Sequence, residues 1–132
     1  MENQTAEIEW KDSGVPVSSK FDDPYFSLDN GVEETQHVFI EGNDLANRFR
    51  DGFRIAELGF GTGLNFLVAW DAWERNGAKG TLHFTSFEAF PMSSEDMAQA
   101  HQSFPDFDGK RDGLLAAWSP EGGEMRFGDV VL

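Results

Sequence analysis

Residues 53–75, FRIAELGFGTGLNFLVAWDAWER, constrain the fold more than any other stretch of the chain. A short apolar run ends in the carboxylate of Glu57, glycines fall at positions 59, 61 and 63, and a helix-length apolar run opens at Leu64. The first run predicts a buried strand. In the second, Leu64, Leu67, Val68 and Ala72 recur at helical spacing on one face and Phe66, Trp70 and Trp73 on another, the pattern of a buried helix. A strand that passes through glycines into a helix opens a β-α unit. Glycine there permits positive φ and removes the Cβ atoms that would obstruct a ligand approaching the backbone.

The unit repeats downstream. NGAKG is a turn, and TLHFTSFE predicts a second strand in which Leu82, Phe84 and Ser86 alternate with His83, Thr85 and Phe87. Ser93 with Asp96 three residues on predicts a capped helix start, with Met97, His101 and Phe104 on one face until Pro105. GLLAAW predicts a further short helix, PEGG a turn, and EMRFGDVVL a third strand. Strands alternating with helix-length connections imply a parallel sheet, so the predicted fold class is α/β. Phe53–Leu58, Thr81–Phe87 and Met125–Phe127 are expected as adjacent parallel strands, with Leu64–Glu74 crossing over between the first two. Upstream, 1–20 lacks sustained periodicity and is expected to be a flexible start. In 21–52, Asp29-Asn30-Gly31 and Glu41-Gly42-Asn43 are turn signals around ETQHVFI, read as a short strand in an extended, hairpin-like lead-in. The domain reading is therefore a lead-in over 21–52 and a ligand-binding half over 53–132.

Composition excludes several classes. Apolar residues make up 39% and aromatics 14% of the 132, enough for a core and against wholesale disorder. Without cysteine there is no disulfide framework and no thiolate metal site. Neither a signal peptide nor an 18-residue apolar stretch is found, which reads as cytoplasmic with no membrane association. With 24 Asp plus Glu against 10 Lys plus Arg, the net charge of -14 repels polyanions and counts against a self-sufficient nucleic-acid binder.

The glycine pattern separates two kinds of ligand. A dinucleotide fingerprint needs its third glycine where Leu64 stands. The pattern acid-x-Gly-x-Gly-x-Gly instead resembles the S-adenosylmethionine loop of class I methyltransferases. Glu57 is placed to meet the positive amino group of the methionine moiety, directly or through water, where it would repel a pyrophosphate. Glu88 ends the second strand, 25 residues past Gly63, the slot from which a carboxylate accepts hydrogen bonds from ribose hydroxyls. Asp129 is expected at the end of the third strand, facing the adenine amino group. Asn65, just past the loop, is counted with these cofactor-binding residues.

Further motifs in fixed order, FDDPYFSLDNGVEETQHVFIEGNDL, ELGFGTGLNFL, FTSFEAFPM followed by AHQSFP, and FGD, resemble the methyltransferase domain of the MnmC-type family of tRNA 5-methylaminomethyl-2-thiouridine biosynthesis. The resemblance runs from about Val15 to Asp129. It implies a Rossmann-like class I methyltransferase fold and methyl transfer from S-adenosylmethionine to the amine of 5-aminomethyl-2-thiouridine at the wobble position, with tRNA as partner. It implies that Tyr25, Asn30 and Glu34 close over the cofactor, and that FAD enters only with a fused oxidase domain. The family's catalytic Asp-Gly-Phe segment at the end of a fourth strand has no counterpart here; Asp51-Gly52-Phe53 precedes the first strand and reads as a turn. The catalytic group is therefore unassigned, and the chain reads as the N-terminal half of the sheet, its third strand an exposed edge.

Other residues carry plainer readings. His37, His83 and His101 lack metal-ligand spacing and read as structural or surface groups, so no metal is proposed. Trp70, Trp73 and Trp118 could stack bases but read as core. Arg48, Arg50 and Arg54 are interrupted by Asp51 and form no basic patch. Two alternatives stay open: a NAD-type oxidoreductase fragment, and a non-catalytic interaction module of the same fold.

Overall fold

The structure is a computed structural model that describes residues 8–10, 16–18, 23–24, 36–102 and 107–132. Among these, strands β1 (Ile8–Trp10), β2 (Pro16–Ser18) and β3 (Asp23–Pro24) pair antiparallel in the order β1-β2-β3. Two of these strands lie within 1–20, the stretch expected to be flexible, and only β3 falls within 21–52.

The expectation of a strand in ETQHVFI is corrected: Gln36–Glu41 forms a π-helical segment, followed by α1 (Leu45–Arg48). Its β-branched and aromatic composition favours a strand locally, but tertiary packing overrides that preference. The Phe39 ring lies 6.4 Å from Phe84, Ile40 is buried, and Asn43 Nδ2 donates to the Phe39 carbonyl at 2.8 Å. A helical segment sends both apolar side chains to the core; a strand would point consecutive residues to opposite faces.

The second sheet has the order β4-β5-β7-β6. Strand β4 (Arg54–Leu58) leads into α2 (Leu64–Arg75), which crosses over to β5 (Leu82–Phe87), and β4 and β5 pair in parallel with Glu57 opposite Ser86. Then α3 (Ser94–His101) starts at Ser93, whose hydroxyl accepts the Asp96 N–H at 3.2 Å, as the capping pattern predicts. Helix α4 (Asp108–Ala117) follows.

The third-strand expectation is corrected in detail. Arg126–Phe127 (β6) and Val130–Val131 (β7) form an antiparallel hairpin, and β7 is the strand that pairs in parallel with β5, through Leu82↔Val130 and His83↔Val131. Gly128, at φ 62°, occupies the first turn position, where a two-residue hairpin of type II′ takes glycine. The edges of this sheet are therefore β4 and β6, with β7 internal.

One face of the sheet is covered. Ile55, Leu82 and Phe84 pack with Phe66, Leu67 and Val68 of α2, and Met92, Met97, Phe107 and Leu114 join the same core. The opposite face carries the exposed Leu58 (88%) and Phe87 (62%). Trp70 and Trp73 are buried in the core, as read from the sequence. Asp51-Gly52 is a turn at the edge remote from the glycine loop: Asp51 Oδ1 accepts the Thr81 N–H at 2.9 Å, and Gly52 donates to the Thr81 carbonyl.

Candidate functional site

The loop between β4 and α2 holds its three glycines at φ 88° (Gly59), 57° (Gly61) and 82° (Gly63), all in the region that L side chains rarely adopt. A Cβ on Gly59 would meet nothing within 4 Å, whereas one on Gly63 would stand 2.9 Å from the Phe60 ring and 3.0 Å from Leu114. Gly59 therefore keeps open space beside the loop, and Gly63 allows the loop to close onto the core.

The glycine N–H groups are already engaged. Gly59 donates to the Phe87 carbonyl at 2.6 Å, extending the β4–β5 ladder, and Gly63 donates to the Phe60 carbonyl at 3.0 Å. Gly61 donates to Glu88 Oε1 at 2.9 Å, and the Phe90 N–H reaches Glu88 Oε2 at 3.3 Å. Glu88, at the end of β5, thus ties the second strand to the first loop.

Glu57, one strand over, is half-buried. Its Oε1 accepts from the Ser86 hydroxyl at 2.9 Å and its Oε2 from Asn65 Nδ2 at 3.1 Å. Burial pushes its pKa above the ordinary carboxylate value, the bonds from Asn65 and Ser86 pull it back, and the negative charge of Glu88 raises it again. A cation beside Glu57 would relieve both unfavourable effects.

A cavity of about 300 Å³ opens beside Glu88, lined by Phe60, Ser86, Ala89, Trp118 and the Ser119–Gly123 loop among others. Trp118 stacks on Phe60 at 4.8 Å and 11°, and its Nε1–H donates to the Met92 carbonyl at 2.9 Å, so this aromatic wall is fixed on both sides. Trp118 is half-buried and lines the cavity rather than lying wholly in the core.

The structure therefore brings together Glu57, Gly59, Gly61, Gly63, Asn65 and Glu88. It does not bring Asp129 to them. Asp129 is an exposed turn residue whose carbonyl accepts the Leu82 N–H at 2.9 Å, beside the start of β5, while Glu88 follows its end. The expectation that Asp129 ends the third strand is corrected: the chain reverses at Gly128, and β7 starts after Asp129 instead of ending at it. Tyr25, Asn30 and Glu34 lie outside the described residues. Sequence reading missed the role of Ser86 as a partner of Glu57, although the in-register pairing of the two strands places them opposite one another. It also missed the Phe60–Trp118 wall, which has no local signature.

No protein-family model matches the chain. The "tRNA 5-methylaminomethyl-2-thiouridine biosynthesis bifunctional protein MnmC" of Hahella chejuensis (strain KCTC 2396) is 48% identical over 106 residues, covering 76% of this chain. The protein of that name from Leptospira borgpetersenii serovar Hardjo-bovis, in strains JB197 and L550, is 44% identical over 116 residues, covering 84% of this chain. The chain is homologous to one region of MnmC. That region is small, since the chain spans 17% of the Hahella MnmC and 18% of the Leptospira proteins. The crystal structure of MNMC2 from Aquifex aeolicus matches the fold with a TM-score of 0.58 at 23% identity, over 99% of this chain and 42% of that one. The fold is accordingly α/β and Rossmann-like, with a four-stranded sheet and an antiparallel three-stranded lead-in among the described residues. Among the described residues, no helix is long and apolar enough to cross a membrane, and no group of three or more His, Asp or Glu is placed to hold a metal ion.

Proposed function

We propose that the chain is the cofactor-holding part of an S-adenosylmethionine-dependent methyltransferase region whose longer parent modifies tRNA. The observation that carries this reading is the pair of carboxylates, Glu57 and Glu88, at the ends of adjacent parallel strands on either side of a loop whose glycine N–H groups already have acceptors. Such a loop turns its three glycine N–H groups to protein acceptors and sets two repelling charges against a pyrophosphate, which argues against a NAD-type ligand. It suits a ligand that is cationic at one end and presents hydroxyls at the other.

The residues fit S-adenosylmethionine in those terms. Glu57, oriented by Ser86 and Asn65, is the counter-charge for the methionine ammonium group. Glu88 keeps lone pairs beyond those used by the Gly61 and Phe90 N–H groups, and these are the acceptors for ribose hydroxyls. The cavity bounded by Phe60 and Trp118 supplies an apolar wall for the base. When bound, S-adenosylmethionine supplies an electrophilic methyl group; the chain's own residues hold, orient and partly desolvate the ligand. In this reading the methyl acceptor is the amine of 5-aminomethyl-2-thiouridine in tRNA, consistent with the 5-methylaminomethyl-2-thiouridine in the relatives' names, and an FAD-dependent oxidase belongs to it only within a longer bifunctional parent.

The test compares Glu88→Ala with Glu95→Ala, a change at an exposed position in the first turn of α3. Losing a charge-assisted bond of about 1.5–3 kcal/mol should weaken S-adenosylmethionine binding roughly ten- to a hundredfold in the first variant and leave the second unchanged. Equal affinities in a calorimetric titration would remove Glu88 from the site.

A further inference from the structure

We infer that His101 is a positioning residue for the glycine loop, its Nε2–H holding the Thr62 carbonyl and thereby the peptide between Thr62 and Gly63. As far as it concerns ligand affinity, this inference rests on the reading above; as a statement about the loop it stands on geometry alone.

His101 is the last residue of α3 and is fully buried, with 0% exposure. Its Nε2 lies 2.7 Å from the carbonyl oxygen of Thr62, which is itself only 4% exposed between Gly61 and Gly63. A carbonyl can only accept, so the ring must carry its proton on Nε2. Burial pushes the pKa of His101 down, the bond to Thr62 opposes this, and the positive charge of Arg111 lowers it further, so the ring is neutral near neutral pH. The backbone of His101 is anchored in turn: Arg111 Nη1, on α4, donates to the His101 carbonyl at 2.6 Å. A continuous path runs from α4 through the end of α3 to the loop.

Holding matters at this point because Gly63 is in positive φ and donates back to Phe60, while Gly61 donates to Glu88. Rotation of the Thr62–Gly63 peptide would turn the Gly63 N–H away from Phe60, two residues from the Gly61 bond that ties the loop to Glu88. The His101 ring reaches across 39 residues of sequence to prevent it. His101 touches no reacting group, and its effect on a ligand is exerted through the loop.

Two substitutions separate the hydrogen bond from the volume of the ring. His101→Leu fills much of the space without a donor, and His101→Gln returns an N–H near the position of Nε2. In the 132-residue chain, the Leu variant should shift the Gly61 and Gly63 amide resonances and weaken S-adenosylmethionine about tenfold, as loss of one buried hydrogen bond predicts. The Gln variant should restore both readouts to within about threefold of the parent on the same basis. Parental loop amides in the Leu variant, or a folded Gln variant as impaired as Leu, would overturn the inference. If the Leu variant does not fold, the ring itself decides: a His101 protonated on Nδ1 alone in the parent's nitrogen spectrum contradicts the inference, and a protected Nε2–H supports it. A parent with no affinity for S-adenosylmethionine would sink the proposed function, while the amide shifts would still test His101.

Discussion

Gly63→Ala and Gly59→Ala make a matched pair, because both replace a glycine of the same loop at nearly the same φ, 82° and 88°. Forcing a residue with a Cβ into the left-handed region costs about 1–2 kcal/mol, and both variants incur that cost. They differ in surroundings. The new methyl at position 59 meets open space, whereas at position 63 it meets the Phe60 ring at 2.9 Å and Leu114 at 3.0 Å. Phe60 cannot simply retreat, since it stacks on Trp118 at 4.8 Å and meets the tilted Phe66 ring at 6.3 Å, and Leu114 is fully buried. Overpacking of this kind adds about 1–3 kcal/mol. Gly59→Ala is therefore expected to lose about 1–2 kcal/mol, and Gly63→Ala about 2–5 kcal/mol. Urea titrations of the parent and both variants, compared at unchanged m-value, measure the difference. Equal losses, or a smaller loss at position 63, would refute the assignment of Gly63 to close packing against the core.

Three further outcomes are expected. Glu57 has a raised pKa, so its contribution to stability is full below its ordinary value of 4.5 and is lost as pH rises through the folded-state value; Glu57→Gln should flatten that part of the profile, stabilise the chain at neutral pH and weaken a cationic ligand, as denaturant titrations from about pH 4 to 8 and a binding titration will show. His101 has a lowered pKa, so its contribution is present above its ordinary value of 6.5 and is lost as pH falls through the folded-state value; His101→Gln should remove that loss, which unfolding at acidic and neutral pH compares directly. The 132-residue chain, at net charge -14, is expected to bind tRNA weakly and to transfer no labelled methyl to tRNA carrying 5-aminomethyl-2-thiouridine even at low salt; turnover comparable to a longer MnmC protein would contradict this.

The parts of the fold legible in the sequence are those fixed by local patterns. The apolar run before Glu57, the three glycines and the two-faced helix after them report one β-α unit, and Ser93 announces its helix through a bond only three residues long. The alternation in β5 likewise separates buried Leu82 and Phe84 from exposed Thr85 and Phe87. What escaped is set by contacts between distant residues. Gln36–Glu41 is helical because Phe39 and Ile40 find the core, although their composition favours a strand. Asp129 lies at the wrong end of the sheet because Gly128 turns the chain, and FGD read as one continuous strand hides that reversal. Ser86 and His101 act on Glu57 and Thr62, partners 29 and 39 residues away, so neither role has a spacing to recognise.

In the proposed site, Glu57, the glycine loop and Glu88 together hold S-adenosylmethionine, and Asp129 takes no part. Amide shift mapping of the 132-residue chain during a titration with S-adenosylmethionine, with NAD as a parallel arm, tests it most directly. S-adenosylmethionine should move the resonances of Gly59, Gly61, Gly63, Glu88 and Phe90 and leave Gly128 and Asp129 in place, and NAD should move none of them. Shifts at Gly128 and Asp129 in preference to the loop, or equal shifts with NAD, would contradict it.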